Sequence, residues 1–533
     1  MGKIVQLFYR SPWMSAAMFG ILIAALKWPA LRLPPVWDEA VSIFPAADFL
    51  AQHHFNAAAM LRQPECGAHW LSLMSLVTAA VLSISHGEAG RIFLHLLQWA
   101  MGAAACTIFM RMLAPAAGRG AALLAALLFL AVPVTLAQLG YMYVEIPLAL
   151  FSVAAVAAHL SGRVRLTALL CLLACFTKES GVLAAAALGC AAVLEGESWA
   201  KGMRRACLYV LPGTLLTAAS AGIVARIDLS PGGLARPELF QRISSAFADT
   251  GGLLLRLMPD HPVLLAFALP AAAVVVGAGL RLRLRSGPGA LADARTRLLL
   301  VSGFFVLGFI AFYFLVAPAL WDLRNYLPRY LVQALPFIIT LFVLGGARLW
   351  SARAACLCLA FLSALCLVNR HGLLYAGRPV PSNDISLAER SEECMDGCLA
   401  MRDCMEWVGR KAPREIPVLL CPYAYASARH PSFGYLSELP PNVVDTAGDP
   451  AFRTLDPARL PPRFFAVYCF PSPGAERIRR LIHAGGLPDA PWRARRCAVF
   501  RHGMFLMYAV EFVRQQPQPS RGPALKIATD GVH

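Results

Sequence analysis

The stretch that decides how the chain is read is Ile92-Phe-Leu-His-Leu-Leu-Gln-Trp-Ala-Met-Gly-Ala-Ala-Ala-Cys-Thr-Ile-Phe-Met-Arg-Met-Leu113. Its one formal charge, Arg111, stands near the end, and the run before it is long enough to cross a hydrocarbon core as an α-helix. Comparable apolar runs lie on both sides of it. They are Trp13–Leu31, Ala121–Gln138, Glu145–Leu160, Leu166–Phe176, Val182–Leu194, Ala206–Val224, Val263–Leu280, Leu298–Val316, Tyr330–Ala347 and Ala354–Val368. The sum is about eleven spans, the shortest, Leu166–Phe176, reading equally as a tilted or half-buried helix. Composition agrees: of 533 residues, 58% are hydrophobic and 15% charged, with a mean hydropathy of +0.59. A single soluble enzyme is excluded, because so few polar residues cannot coat a globule of this size.

Basic residues set the orientation. Lys3 and Arg10 precede Trp13–Leu31, which reads as an uncleaved anchor with its N-terminus in the cytoplasm. The exterior loop 33–90 follows. Within it Gly67–Ile84 is apolar but carries His69 and Trp70 and sits between Pro64 and Ser85-His86-Gly87-Glu88, which reads as an interfacial helix. Ile92–Leu113 then runs inward. The later inward gaps hold Arg163 and Arg165; Lys201, Arg204 and Arg205; the cluster Arg281 to Arg297; and Arg348 with Arg353. Counting Gly67–Ile84 as a span would turn the Arg281–Arg297 cluster outward, against the positive-inside rule. The net charge of +17 is thus spread over loops facing anionic headgroups, not gathered on a face for nucleic acid.

The chain divides into a multi-span membrane domain, 1–370, an exterior periplasmic α/β domain, 371–513, and a polar tail, 514–533, read as disordered. In the second, Glu389–Val408 reads as a helix, Ile416–Cys421 and Arg463–Cys469 as strands, and Ala498–Phe512 as a hairpin. Six of the fifteen cysteines lie there (Cys394, Cys398, Cys404, Cys421, Cys469, Cys497), where disulfides suit an oxidising compartment. Metal ligation by Cys394, Cys398 and Cys404 is the alternative, although their spacing matches no standard zinc pattern. No fixed-period repeat and no phosphate-cradling glycine loop is found.

Charged residues at span boundaries carry the chemistry. Asp38 and Glu39 follow the first span on the outer side; adjacent carboxylates at a membrane edge raise one another's pKa, which suits a general base, while the structural alternative is an acidic helix cap. Glu145, in Tyr141-Met-Tyr-Val-Glu-Ile-Pro147, opens a span from the same side and needs a partner, unless it only complements the helix dipole. Lys178 and Glu179, in Phe176-Thr-Lys-Glu-Ser-Gly181, interrupt two runs at that boundary. Lys178 there suits a phosphate, or else snorkels and pairs with Glu179. Arg329 and Tyr330, just after Asp322 and Arg324, again start a span from outside. Carboxylates for a base, with Lys and Arg for a phosphate, describe a site for a reaction on a lipid-linked phosphate.

At these residues the sequence, over roughly Trp13 to Ala347, resembles the GT-C glycosyltransferases that use polyprenyl-phosphate sugars, in the branch of the protein O-mannosyltransferases and the bacterial lipid A aminoarabinose transferase. The matching pieces are Asp38-Glu39, loosely Gln63-Pro-Glu-Cys-Gly-Ala-His-Trp70, the basic turn Leu113-Ala-Pro-Ala-Ala-Gly-Arg-Gly120, Glu145-Ile-Pro147, Thr177-Lys178, Arg329-Tyr330-Leu331 and Ala334-Leu335-Pro336. Two features depart from the pattern: Glu145 stands where relatives often have Asp, and the usual double proline of the interfacial stretch is absent. The resemblance implies a GT-C-like α-helical polytopic membrane fold, and the Ala-, Arg- and Leu-rich usage with a one-domain tail points to a bacterial cell inner membrane. The resemblance also implies an inverting hexosyl- or pentosyltransferase acting on an envelope acceptor, whether a glycolipid such as lipid A, a polysaccharide or a protein. Asp38 would be the base, Lys178 and Arg329, with Tyr330 beside them, would hold the donor phosphate, and Glu39 and Glu145 would orient the acceptor. A divalent cation, if one is used, would sit on Asp38 and Glu145. Partners are the polyprenyl-phosphate-linked sugar and membrane lipids.

A transporter or flippase of lipid-linked substrates is the competing reading; it needs midplane charges and repeated halves, whereas these charges sit at the boundary. Donor sugar, acceptor and oligomeric state are not written in the sequence.

Overall fold

The computed structural model describes residues 2–33, 35, 43–60, 72–85, 87–227, 262–286, 291, 293–312, 328–349, 351–368, 393–413, 415–420, 443–445, 462–470, 492–502 and 505–514. The stretch around Asp38 and Glu39, residues 61–71, residues 228–261 and the tail beyond 514 lie outside it.

Within the described residues each apolar run is helical. Helix α1 (Gly2–Tyr9) precedes α2 (Pro12–Lys27), which starts where Ser11 Oγ accepts from Met14 N at 3.0 Å and Pro12 presets the first turn. A 3₁₀ turn, Trp28–Arg32, ends that segment. Beyond it α3 (Phe44–Gln52) packs against α4 (Leu73–Ile84) through Phe44, Ala47, Leu50, Ala79 and Leu82. At 12 residues, α4 spans about 18 Å and is too short to cross a bilayer upright.

Next come α5 (Gly87–Ala117), α6 (Arg119–Ala131) and α7 (Pro133–Leu139). The sequence reads 121–138 as one span, but α6 and α7 bend by 66° at Val132. Pro133 cannot donate the helical hydrogen bond and pushes Val132 to φ −56°, ψ 126°. Helices α8 (Glu145–Leu160) and α9 (Val164–Thr177) form a tight hairpin, with Gly162 at φ 72°. A 3₁₀ turn, Glu179–Gly181, leads into α10 (Val182–Glu195). There a Cβ on Gly181 would fall 2.2 Å from Ala174 C, so only glycine fits. The series continues with α11 (Trp199–Ile227), α12 (Pro262–Ser286), α13 (Ala294–Ala311), a 3₁₀ turn Pro328–Gln333, α14 (Leu335–Leu349) and α15 (Ala352–Val368).

Among the described residues four helices are long and apolar enough to cross a membrane, or five if the bent pair is one span, and five shorter apolar helices accompany them. The chain is thus a multi-pass membrane protein. Small residues along α6 (Ala122, Ala125, Ala126) let helices approach closely, and Phe109, Phe129, Phe305, Phe309 and Phe337 fill the centre. Phe305 stacks on Phe337 at 4.1 Å. Trp13, Ile21, Leu215, Val274 and Phe361 are exposed, the outward apolar belt that lipid chains cover.

The later residues form α16 (Glu393–Lys411) and five strands: β1 (Val418–Leu420), β2 (Val443–Asp445), β3 (Arg463–Phe470), β4 (Trp492–His502) and β5 (Phe505–Arg514). Their order is β2-β1-β3-β5-β4, parallel across the first three and antiparallel beyond. Cys404, Met405 and Val408 of α16 bury against Val418, Phe465, Val467 and Met507. The final hairpin begins at Trp492, six residues before its expected start at Ala498, and carries a bulge at Ala494–Arg496 that interrupts the alternation. Strand β2 was not anticipated. Of the six cysteines proposed for disulfides, Cys404 and Cys497 are free thiols. Burial pushes both thiol pKa values up. The other four fall outside the residues whose side chains are described.

Candidate functional site

Three separate stretches meet at one edge of the helical bundle. Glu145 is the first residue of α8. Lys178 caps α9 in an extended conformation (φ −158°, ψ 150°), which swings its side chain out of the helix path. Arg329 and Tyr330 lie in the 3₁₀ turn before α14. Lys178 Nζ donates to Glu145 Oε1 at 2.7 Å, and Arg329 Nε lies 3.5 Å from the same oxygen. Lys178 Nζ also sits 3.9 Å from the centre of the Tyr330 ring, and the Arg329 guanidinium stands 4.7 Å over Tyr143 and 5.5 Å from Tyr330.

Two cations thus share one carboxylate, and the formal balance of the three groups is +1. Glu145 is 2% exposed and Arg329 6%, whereas Lys178 keeps 18% of its surface, so the lysine is the cation an arriving anion reaches first. Glu145 Oε2 is buried without a hydrogen-bond partner among the described residues.

Uncharged groups fix this arrangement. Gln333 Nε2 donates to Ser152 Oγ at 3.1 Å and to Ser180 O at 3.3 Å, tying the arginine-bearing turn to α8 and to the turn after Lys178. From α5, Gln98 Nε2 donates to Tyr143 O at 3.1 Å and Trp99 Nε1 to Leu139 O at 2.9 Å, which pins the approach to Glu145. Leu399 of α16 packs against the cluster of Ala30, Leu33, Ala137, Tyr141 and Tyr143, so the sheet-bearing region touches the group that includes the ring under Arg329.

Of the residues singled out from sequence, Glu145, Lys178, Arg329 and Tyr330 are brought together, although Glu145 precedes Lys178 by 33 positions. Asp38, Glu39, Asp322 and Arg324 lie outside the described residues. The alternative pairing of Lys178 with Glu179 is replaced by the pair with Glu145. Sequence reading passed over Tyr143, Gln98 and Gln333, whose types signal nothing alone. It also passed over Lys27, fully buried at the end of α2, with its Nζ 3.6 Å from where a Gly140 Cβ would stand. That one had a signal: a lysine inside an apolar span is costly unless it has a task. Among the described residues no three His, Cys, Asp or Glu side chains gather as a metal site.

A second charged cluster occupies the far end of α8. Glu195 Oε2 accepts from Arg297 Nε at 2.7 Å and lies 3.2 Å from His159 Nε2. Arg297 also donates to the carbonyls of Leu160 and His159, closing the end of α8, while His159 Nδ1 lies 3.4 Å from the Tyr209 hydroxyl. It joins α8, α10, α11 and α13.

No family model and no curated protein matches the chain. Among solved structures it is similar to ArnT from Cupriavidus metallidurans bound to undecaprenyl phosphate, at 14% identity and TM-score 0.40, and to the same protein in the apo state, at 14% and 0.37. In each case the alignment covers 92% of this chain and 97% of the other.

Proposed function

We propose that the chain is a GT-C-type inverting glycosyltransferase that moves a sugar from a polyprenyl-phosphate donor to an envelope acceptor at the outer face of the inner membrane. The observation that carries this reading is the meeting of Lys178 and Arg329 on a single buried carboxylate at a bundle edge. Lys178 is the more exposed of the two cations and can meet an arriving phosphate, and aromatic rings from Tyr143 and Tyr330 hold both cations in place.

In the proposed reaction Asp38 takes the proton of the acceptor hydroxyl. The resulting oxygen attacks the anomeric carbon on the face opposite the phosphate. The bond from that carbon to the phosphate oxygen breaks, its electron pair leaves with the lipid phosphate, and the configuration inverts. Lys178 and Arg329 neutralise the charge that grows on the leaving group. Glu145 Oε1 is committed to these two cations, and Oε2 is the atom left to orient an acceptor or, with Asp38, a divalent cation. Glu39 would orient the acceptor from the first exterior loop.

Mass spectra of envelope glycolipids, polysaccharide and glycoproteins from cells carrying the wild-type chain, Asp38→Asn or Lys178→Met at matched abundance test this. A sugar mass lost from one fraction in both variants is expected and names the acceptor class; unchanged spectra in all three fractions overturn the reading in favour of transport.

A further inference from the structure

The basic turn Leu113–Gly120 has no part in the reaction, and the structure gives it a setting of its own. At the end of α2 and α5 remote from Glu145, helix α1 folds back against the bundle: Phe8 is buried edge-on to Phe19, 5.3 Å between centroids, and Ser15 Oγ donates to Phe8 O. This leaves a cleft of about 370 Å³ lined by Gln6, Leu7, Tyr9, Arg10 and Arg119.

Tyr9 organises the cationic wall. Its hydroxyl donates to the carbonyls of Met110 and Arg119 at 3.4 Å each, and its ring lies under the guanidinium groups of Arg119, at 5.5 Å, and Arg111, at 6.0 Å. Burial pushes the Tyr9 pKa up to about 12, so the phenol stays neutral and contributes no negative charge. Arg111 donates to Tyr9 O at 3.4 Å, and its Nε is buried with no hydrogen-bond partner among the described residues. Arg10 and Arg119 are exposed at the cleft. None of the three arginines has a carboxylate partner among the described residues, unlike Arg297 and Arg329, which each meet a glutamate. Helix α6 also begins at Arg119, so the positive end of its dipole faces the same side. Neither Gly118 nor Gly120 has another atom within 4 Å of a built Cβ, which leaves open space beside the turn.

We propose that this cleft binds a phosphate group carried by an anionic lipid headgroup, at the membrane surface opposite the Glu145 cluster. Arginine suits the task because its planar fork matches a phosphate's oxygens. Leu7, an exposed apolar residue of the cleft wall, offers a surface on which an acyl chain would lie. The assignment is independent of the transferase reading.

The test uses the full-length protein in nanodiscs of phosphatidylcholine alone, phosphatidylcholine with phosphatidylglycerol, or phosphatidylcholine with millimolar inorganic phosphate. Retained lipids are counted by native mass spectrometry and thermal midpoints are recorded. Wild type should retain phosphatidylglycerol and melt higher with it. Arg10→Gln and Arg119→Gln should each weaken retention about fivefold, as loss of one juxtamembrane cation predicts, and raising the salt should weaken it more in wild type than in either variant. Equal protection by inorganic phosphate would keep the phosphate site but overturn the lipid as its source. Equal retention by wild type and both variants would overturn the site itself. Arg10 is exposed and outside the bundle, so its variant remains informative if Arg119→Gln fails to insert.

Discussion

Replacing Glu145 by Gln removes the carboxylate that faces Lys178 and Arg329 among the described residues. At 2.7 Å and 3.5 Å, and an effective dielectric of 20, the attractions are about 6 and 5 kcal/mol. Desolvation offsets most of each, so the expected cost is that of stripping one partner from a buried pair, roughly 3–5 kcal/mol. For a bundle of this size such a loss lowers the thermal midpoint by roughly 4–7 °C. Because the damage comes from uncompensated charge, removing Lys178 as well should repair part of it. Glu145→Gln/Lys178→Met is therefore expected to be more stable than the sum of its single changes by about 1–3 kcal/mol. The assay is thermal unfolding of the four proteins, wild type included, in one detergent, followed by size-exclusion chromatography of the surviving monodisperse fraction. Additivity within about 0.5 kcal/mol would refute the reasoning, since it would mean that Glu145 and Lys178 do not sense each other.

The cluster at the far end of α8 should behave oppositely with respect to ligand. Arg297→Met leaves Glu195 buried with His159 as its remaining partner among the described residues and should cost roughly 3–5 kcal/mol; polyprenyl phosphate titration of the surviving protein should give an unchanged affinity. Asp293 caps α13, accepting from Arg295 N at 2.9 Å and Thr296 N at 3.3 Å, and a hydrogen bond with the Thr296 side chain, helped by these backbone bonds, holds its pKa below the usual carboxylate value. A depressed folded-state pKa means that its stabilisation is present above the ordinary aspartate range and is lost as the pH falls through the folded value. Asp293→Ala should cost about 1 kcal/mol at pH 7, and the gap to wild type should close in melts as the pH falls below the ordinary aspartate range and through the folded value.

Much of the bundle was legible because membrane helices are written in long apolar runs. Glu145–Leu160 and the start of α10 at Val182 appear in the structure where hydropathy places them. The 66° bend at Pro133 was missed because hydropathy is blind to backbone direction. The meeting of Glu145, Lys178 and Arg329 could be anticipated on a simple ground: each is a charge at the boundary of an apolar run, where lack of water demands a partner. The supporting groups were not legible. Gln333 and Gln98 act through carbonyls and a hydroxyl that only the folded chain brings within reach. Tyr143 acts as a ring under Arg329, a role its position before α8 does not announce. In the sheet, Glu511 is fully buried against Arg463, Arg495 and Arg496, an arrangement hidden by the bulge that breaks β4's alternation.

The central claim is that Lys178 and Arg329 hold the phosphate of a polyprenyl lipid. Its most direct test is equilibrium binding of polyprenyl phosphate to the purified protein in nanodiscs, comparing wild type with Lys178→Met and Arg329→Met and checking fold by an unchanged elution profile. Removing either charge-assisted hydrogen bond to the phosphate should weaken binding by roughly 1.5–3 kcal/mol, about ten- to a hundredfold. Affinities equal to wild type in both variants would contradict the account.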